Sequence, residues 1–300
     1  LTRAVIPEGT TEIKKYTFCS ANGLKEIRLP ESLERIGKYA FYGCEDLTEI
    51  RMPKNVKSIG ENAFSGCDSL TATYISDLSA WCRIDFEDEY SNPLWYSKRL
   101  YLNGTRINDL TVPSDITEIK NHAFARFTDL QSVTLPEGIT SIGNDAFYSC
   151  KHLKTINLPS RVTSIGNYAF AGCKFLKNIN LPNRVTSIGD YAFSGCERLE
   201  RVNLPDGITN IGSGAFRRCN ALTDLYIGDN ITDIPQSAFY ECKTLRYIRL
   251  PQNLSGIESD AFQSCTSLKK VFYGGDKTQW KNIPKNSGND VLSKAEIVCD

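Results

Sequence analysis

The chain has 300 residues, 41% of them hydrophobic, with 35 Lys plus Arg balanced by 35 Asp plus Glu. A formal net charge of zero supplies no field to draw in nucleic acid or an anionic membrane, so bulk charge does not choose the partner. No apolar run reaches the roughly 18 residues a membrane-spanning helix needs, and no signal-peptide pattern opens the chain.

The first residues, LTRAVIP, already stand inside a repeating pattern. Leu1, Ala4, Ile6 and Pro7 match Leu153, Ile156, Leu158 and Pro159 further along. A start in mid-pattern without methionine suggests a trimmed or mature fragment of a longer chain. The pattern is clearest in SRVTSIGNYAFAGCKFLKNINLP, Ser160 to Pro182, and its phenylalanines set the register. Phe18, Phe41 and Phe64 are 23 residues apart, and so are Phe124, Phe147, Phe170, Phe193, Phe216, Phe239 and Phe262. Ten copies at one spacing predict a solenoid, in which each coil buries its apolar side chains against its neighbours. One continuous domain over residues 1–300 follows, because such a core grows by stacking and not by volume.

Within a coil, Leu153 to Pro159 reads as a short strand with Ile156 and Leu158 inward and Thr155 and Asn157 outward. Stacking predicts a parallel sheet along one face. Val162 to Ile165 is a second extended piece, Gly166 a turn, and Asn167 to Phe170 a helical turn that delivers Phe170 to a spine of rings. Asn157, Asn180 and Asn203 form a row of amides that can stack along the sheet. The fold class is therefore a mainly β repeat solenoid with short helical turns, of about ten 23-residue coils.

Regularity breaks between Phe64 and Phe124, which are separated by one repeat plus 37 residues. The extra material, within residues 72–110, carries Trp81, Trp95 and the acidic run Asp85, Glu87, Asp88 and Glu89. Those carboxylates lack the regular spacing of a calcium loop and read as a solvated turn. Asn103-Gly104 predicts a hairpin between Leu100–Leu102 and Arg106–Asn108. The tail, residues 271–300, echoes the insertion, with Trp280 and Ile283 corresponding to Trp81 and Ile84. An element shared by a mid-chain break and the chain end suggests a cap over an exposed coil edge.

Eight of the eleven cysteines, from Cys44 to Cys265, occupy one repeat position, where Ala21 and Phe127 stand in other copies. Parallel side chains in an apolar slot predict a ladder of reduced, buried thiols and argue against disulfides. Cys19, Cys82 and Cys299 lie out of register. No C-x-x-C pair occurs, and His122 and His152 fall in different coils, so no metal site is expected. No nucleophile–base pair or phosphate-cradling loop appears, so no cofactor and no catalytic activity are expected.

The unit with Ala-Phe, Cys, Leu-x-x-Ile-x-Leu-Pro and Ile-Gly resembles the BspA-like, or Treponema-type, leucine-rich repeat over nearly the whole chain. Lys120, Pro235 and Glu258 depart from it at the repeat glycine, and Gly228 at the strand-ending proline. The resemblance implies a curved solenoid on a secreted or cell-surface protein of bacteria or parasitic protists. It also implies adhesion to a protein or glycan on a host or neighbouring cell, and it carries over no catalytic residue.

Function is then expected where copies differ. On the outward sheet face the middle coils are polar and plain, whereas the last gather Arg201, Tyr226, Tyr247, Arg249, Lys270 and Phe272. Aromatic side chains with arginine are what binding hot spots use. The alternative is a structural stalk or spacer, in which large side chains merely cover the sheet near its end.

Overall fold

The computed structural model describes residues 1–300. The chain winds into a parallel β-solenoid of about 13 coils of about 23 residues. The ten phenylalanine-bearing coils are joined by two tryptophan-bearing ones, and a last strand closes the series. Each regular coil contributes a main strand and a two-residue short strand, such as Thr155–Asn157 and Ser164–Ile165. Thr155 pairs with Ser132 one coil before, and Ser164 with Ser141. The in/out alternation is as expected, with Ile156 buried between exposed Thr155 and Asn157. A single apolar cluster of 86 buried residues runs the length of the stack, so no coil has a core of its own. No helix is long and apolar enough to cross a membrane.

The phenylalanines stack as a spine. Phe147, Phe170 and Phe193 lie with ring centroids 5.4 Å apart and nearly parallel. The segment leading to Phe170, expected to be a helical turn, is instead a run of tight turns. Tyr168 has φ 54° and Gly172 φ 74°, both left-handed, and a right-handed helix cannot pass through such residues. Alternate amides then point along the stack. Tyr168 N donates to Asp190 O at 2.8 Å, Phe170 N to Ala192 O at 2.8 Å and Gly172 N to Ser194 O at 2.7 Å in the next coil. These inter-coil bonds offset the cost of a left-handed tyrosine, whose ring also stacks on Tyr191 at 5.1 Å.

The cysteines are more than small apolar fillers. Cys173 Sγ donates to Phe147 O at 3.2 Å, and Cys196 Sγ to Phe170 O at 3.2 Å; the other six ladder thiols repeat the bond. Each of these carbonyls also accepts a backbone N–H, as Phe147 O does from Cys150 N at 3.1 Å, so the thiol fills the second lone pair and finds a partner for its own buried S–H. All eight are free and fully buried. Burial pushes the Cys196 and Cys265 thiols up to about 12 and Cys44 to about 11. They are consequently inert as nucleophiles.

The repeat glycine is explained by approach distance. A Cβ at Gly166 would sit 2.6 Å from both the backbone N and Oδ1 of Asn144, which leaves no room for a side chain. Amides do stack along the solenoid, but beside this glycine and not on the sheet. Asn121 Oδ1 accepts from Asn144 N, Asn144 Oδ1 from Asn167 N, and Asn167 Oδ1 from Asp190 N, each at 2.8 Å. The Asn157, Asn180 and Asn203 side chains, where the stack was expected, stand exposed and make no hydrogen bond. Pro235 has a definite effect. Gly212 N donates to Ile188 O at 2.8 Å, but Pro235 has no N–H to continue that ladder, and the short-strand sheet is interrupted between Asn210–Ile211 and Asp233–Ile234.

Residues 72–107 form an enlarged coil followed by a hairpin. The strand Ala72–Ile75 leads to helix α1 (Leu78–Cys82), capped by Asp77, whose side chain accepts from Ala80 N at 2.9 Å. After α2 (Leu94–Ser97) the strand Leu100–Leu102 returns in parallel beside Ala72–Ile75, Thr73 opposite Leu100. Leu100–Leu102 then folds back on Thr105–Arg106 through Asn103 and Gly104, at φ 50° and 81°. The second arm is thus Thr105–Arg106 and not Arg106–Asn108, because two left-handed residues close the turn without a spacer. The tail repeats the enlarged coil with α3 (Lys277–Asn282), whose cap Asp276 accepts from Thr278 and Gln279. Its final strand Glu296–Cys299 lies parallel to Lys270–Tyr273.

A seam follows the hairpin. No backbone hydrogen bond joins residues 1–107 to residues 108–300, whereas every regular coil is laced to the next. Side chains cross instead. Trp81 Nε1 donates to Ala123 O at 3.0 Å, and Asn92 Nδ2 to His122 O at 2.7 Å and Ala123 O at 3.2 Å. Trp95 stacks on Tyr148 at 5.6 Å, and ion pairs join Arg83 to Asp115 and Lys120 to Asp85. Hydrogen bonding to Arg83 holds the Asp115 carboxyl below its usual range. The acidic run is occupied locally as well. Glu87 accepts from Glu61 N at 2.8 Å, and Asp88 from Asn62 N and Ser91 N.

Candidate functional site

The main strands do not form one unbroken ladder. Pairing is interrupted between Glu26–Arg28 and Glu49–Met52, between Thr155–Asn157 and Asn178–Asn180, and between Arg201–Asn203 and Asp224–Tyr226. A furrow lies over each interruption on the outward face. The furrow at the C-terminal end, about 470 Å³, is lined by Arg201, Tyr226, Tyr247, Arg249 and Phe272, five of the six residues singled out from the sequence.

Strand register brings these side chains together. Tyr226, Arg249 and Phe272 lie opposite one another in three successive strands, and Asp224, Tyr247 and Lys270 do so in the adjoining row. The row pattern comes from the two-residue alternation of a half-buried strand, which turns these positions outward while Leu225, Ile248 and Val271 fill the core. Tyr226, Tyr247 and Phe272 are 41%, 37% and 39% exposed, unusual values for large rings in this molecule. The Arg249 guanidinium lies 5.5 Å from the Tyr226 ring centroid and 3.8 Å from Asp300. Lys270 lies outside the furrow lining and pairs with Glu296 at 3.0 Å. Exposed pairs of this kind contribute roughly 0–1 kcal/mol, so the arginine stays available to a partner. The arrangement offers flat rings and a cation, which suits recognition and provides no group positioned for covalent chemistry.

Two further clusters are not apparent from the sequence. At the hairpin, the Arg51 guanidinium lies 4.2 Å from the Tyr74 ring, which stacks on Tyr101 at 4.7 Å. Arg51 and Tyr74 belong to the outward row, but Tyr101 joins them only because the hairpin returns beside Ala72–Ile75. In the middle of the sheet, Phe175 lies between His152 at 5.6 Å and the Arg198 guanidinium at 4.2 Å. These three occupy one repeat position, just before the buried leucine and outside the strand. Variation among copies at that position is the signal that could have exposed them.

The sequence matches the family described as BspA type leucine-rich repeat region in six copies, over residues 1–81, 97–189 and 163–285. No curated protein matches it. Among solved structures, the fold is similar to a leucine-rich cell-surface protein from Faecalibacterium prausnitzii. That likeness has a TM-score of 0.59 and 25% identity and covers 96% of this chain and 92% of that one. A leucine-rich repeat protein of T. pallidum aligns with a TM-score of 0.52 and 27% identity, covering 64% of this chain and 87% of its own. The pneumococcal vaccine antigen PcpA shares the fold, at 18% identity and a TM-score of 0.57, over 100% of this chain and 79% of that one.

Proposed function

Because the chain belongs to the BspA-type leucine-rich repeat family, we propose that it is a non-catalytic binding module, secreted or held at a bacterial cell surface. It mediates protein–protein or cell adhesion through the outward face of its main sheet. The family and fold support a protein-binding repeat scaffold. The F. prausnitzii relative is described as a cell-surface protein, which supports the location. The observation that carries the choice of face is the C-terminal furrow, where three exposed rings and two arginines converge on a floor of strands whose inward sides are wholly committed to the core.

The partner is a protein or glycan on a host or neighbouring cell, and no nucleic acid is involved, in keeping with the balanced charge. The two Trp-bearing coils, residues 72–110 and 271–300, fit the same reading as caps that close coil edges within one solenoid. A screen of the purified chain against immobilised extracellular-matrix proteins and a glycan array tests the function. At least one saturable partner is expected. Absence of any saturable binding overturns the module and leaves a spacer that presents another part of a longer protein.

A further inference from the structure

The furrow between Thr155–Asn157 and Asn178–Asn180, about 740 Å³, differs from the other two in its charge and in its unused hydrogen-bonding groups. In the N-terminal furrow Arg3 pairs with Glu26 at 3.4 Å and Arg51 with Glu49 at 3.1 Å, and Glu8 and Glu31 offset the third arginine, Arg28. In the C-terminal furrow Arg249 faces Asp300, and the two arginines of the lining, Arg201 and Arg249, are matched by Glu200 and Asp224. The middle furrow contains Lys154, Lys177 and Arg198 against one acid, Glu200, which Lys177 takes at 3.3 Å. Lys154 donates only to the neutral Gln131 amide, at 3.0 Å, and Arg198 lies over the Phe175 ring. Two cations without acidic partners therefore flank one aromatic ring.

The floor beside them is polar. Asn157, Asn178 and Asn180 present their amides outward without a hydrogen bond to the protein, each keeping two donors and an acceptor free. Phe175 is the only aromatic residue in the lining, and no deep apolar pocket is present to receive a peptide side chain. Paired donor and acceptor groups at fixed positions suit vicinal hydroxyls, and unpaired cations suit carboxylate or sulfate groups.

We propose that this middle furrow is a second binding site that takes an acidic carbohydrate, with Lys154 and Arg198 on its anionic groups, Asn157, Asn178 and Asn180 on its hydroxyls, and the Phe175 ring holding the Arg198 guanidinium in place. The site shares only Glu200 with the C-terminal furrow and does not depend on the aromatic patch there. Either one can fail while the other stands.

The test is calorimetric titration of the intact chain with a short galacturonate oligomer, the neutral galactose oligomer of equal length, and a glutamate oligomer. The galacturonate oligomer is expected to bind saturably and more tightly at low than at high salt. Lys154→Ala with Arg198→Ala should weaken it by about a hundredfold, roughly tenfold per charge-assisted contact, and Asn178→Ala with Asn180→Ala should weaken it too. Arg249→Ala, in the C-terminal patch, should leave it unchanged. Melting curves of the variants should overlay the wild type, since every substituted side chain is exposed. Equal affinity for the neutral oligomer, preference for the glutamate oligomer, unaltered binding by the Lys154/Arg198 variant, or no binding to any probe would each overturn the proposal.

Discussion

Between pH 8 and pH 10 the solenoid is expected to lose most of its folding stability. Burial holds Cys196 and Cys265 near 12 and Cys44 near 11, against an ordinary value of 9, so the unfolded chain releases protons that the folded chain keeps. A thiol raised in this way contributes its full stability below pH 9 and loses it as pH climbs towards the folded value. At pH 10 the loss is on the order of 1 kcal/mol per thiol, and the ladder repeats it across its eight members. The sum is on the order of 10 kcal/mol, comparable to the whole net stability of a typical domain. Thermal melts followed by circular dichroism at pH 7, 8, 9 and 10 should show a level midpoint giving way to a steep fall above pH 9. A midpoint unchanged to pH 10 would mean that the thiols ionise in the folded state and are not sealed as the structure has them.

A substitution at the seam should have the next largest effect, and it should act on cooperativity more than on either half. Asn92 is wholly buried; its amide serves two carbonyls across the seam and its oxygen accepts from Leu94 N. Asn92→Ala leaves the buried Leu94 N unpaired, at about 1–3 kcal/mol, and removes two of the hydrogen bonds across the seam where no backbone bond compensates. In a solenoid, one melting transition depends on neighbour terms that are strong at every interface. The variant should unfold in denaturant in two steps, with hydrogen exchange rising first on one side of residue 107. The corresponding loss inside the regular array, Asn144→Ala, should keep one transition, because Asn167 and Asn144 are tied by several backbone bonds around them. A single unchanged transition for Asn92→Ala would show that the apolar cluster alone couples the halves.

How much of this is legible in the sequence depends on whether a residue's role repeats. Phe170, Ile156 and Cys173 each recur at fixed spacing in an apolar slot, so their burial can be read from periodicity alone. The backbone they sit on cannot. Tyr168 gives no local hint of a left-handed conformation, since the requirement comes from the amides of the next coil. The thiol ladder is legible as a buried row, but its hydrogen bond to the phenylalanine carbonyl of the preceding coil depends on how coils overlap in space. Asn144 and Asn157 recur equally well, yet one is tied into an inter-coil ladder and the other is free, because Asn167 N in the turn has no backbone acceptor and takes the Asn144 oxygen instead. Of the candidate residues, Tyr226, Arg249 and Phe272 can be aligned from the 23-residue register alone. Phe175 and Arg198 align in that register too, but they lie outside the strand, so their place beside the furrow comes from three-dimensional stacking.

The molecule thus divides into repeated positions that hold it together and varied positions to which we assign recognition of a partner. The most direct test measures both properties on one protein, carrying Tyr226→Ala, Tyr247→Ala and Arg249→Ala together. Against a partner found in the binding screen, affinity should fall by about a hundredfold or more while the melting temperature stays within a few degrees of the wild type. Full affinity retained by the triple variant would contradict the assignment of function to this face.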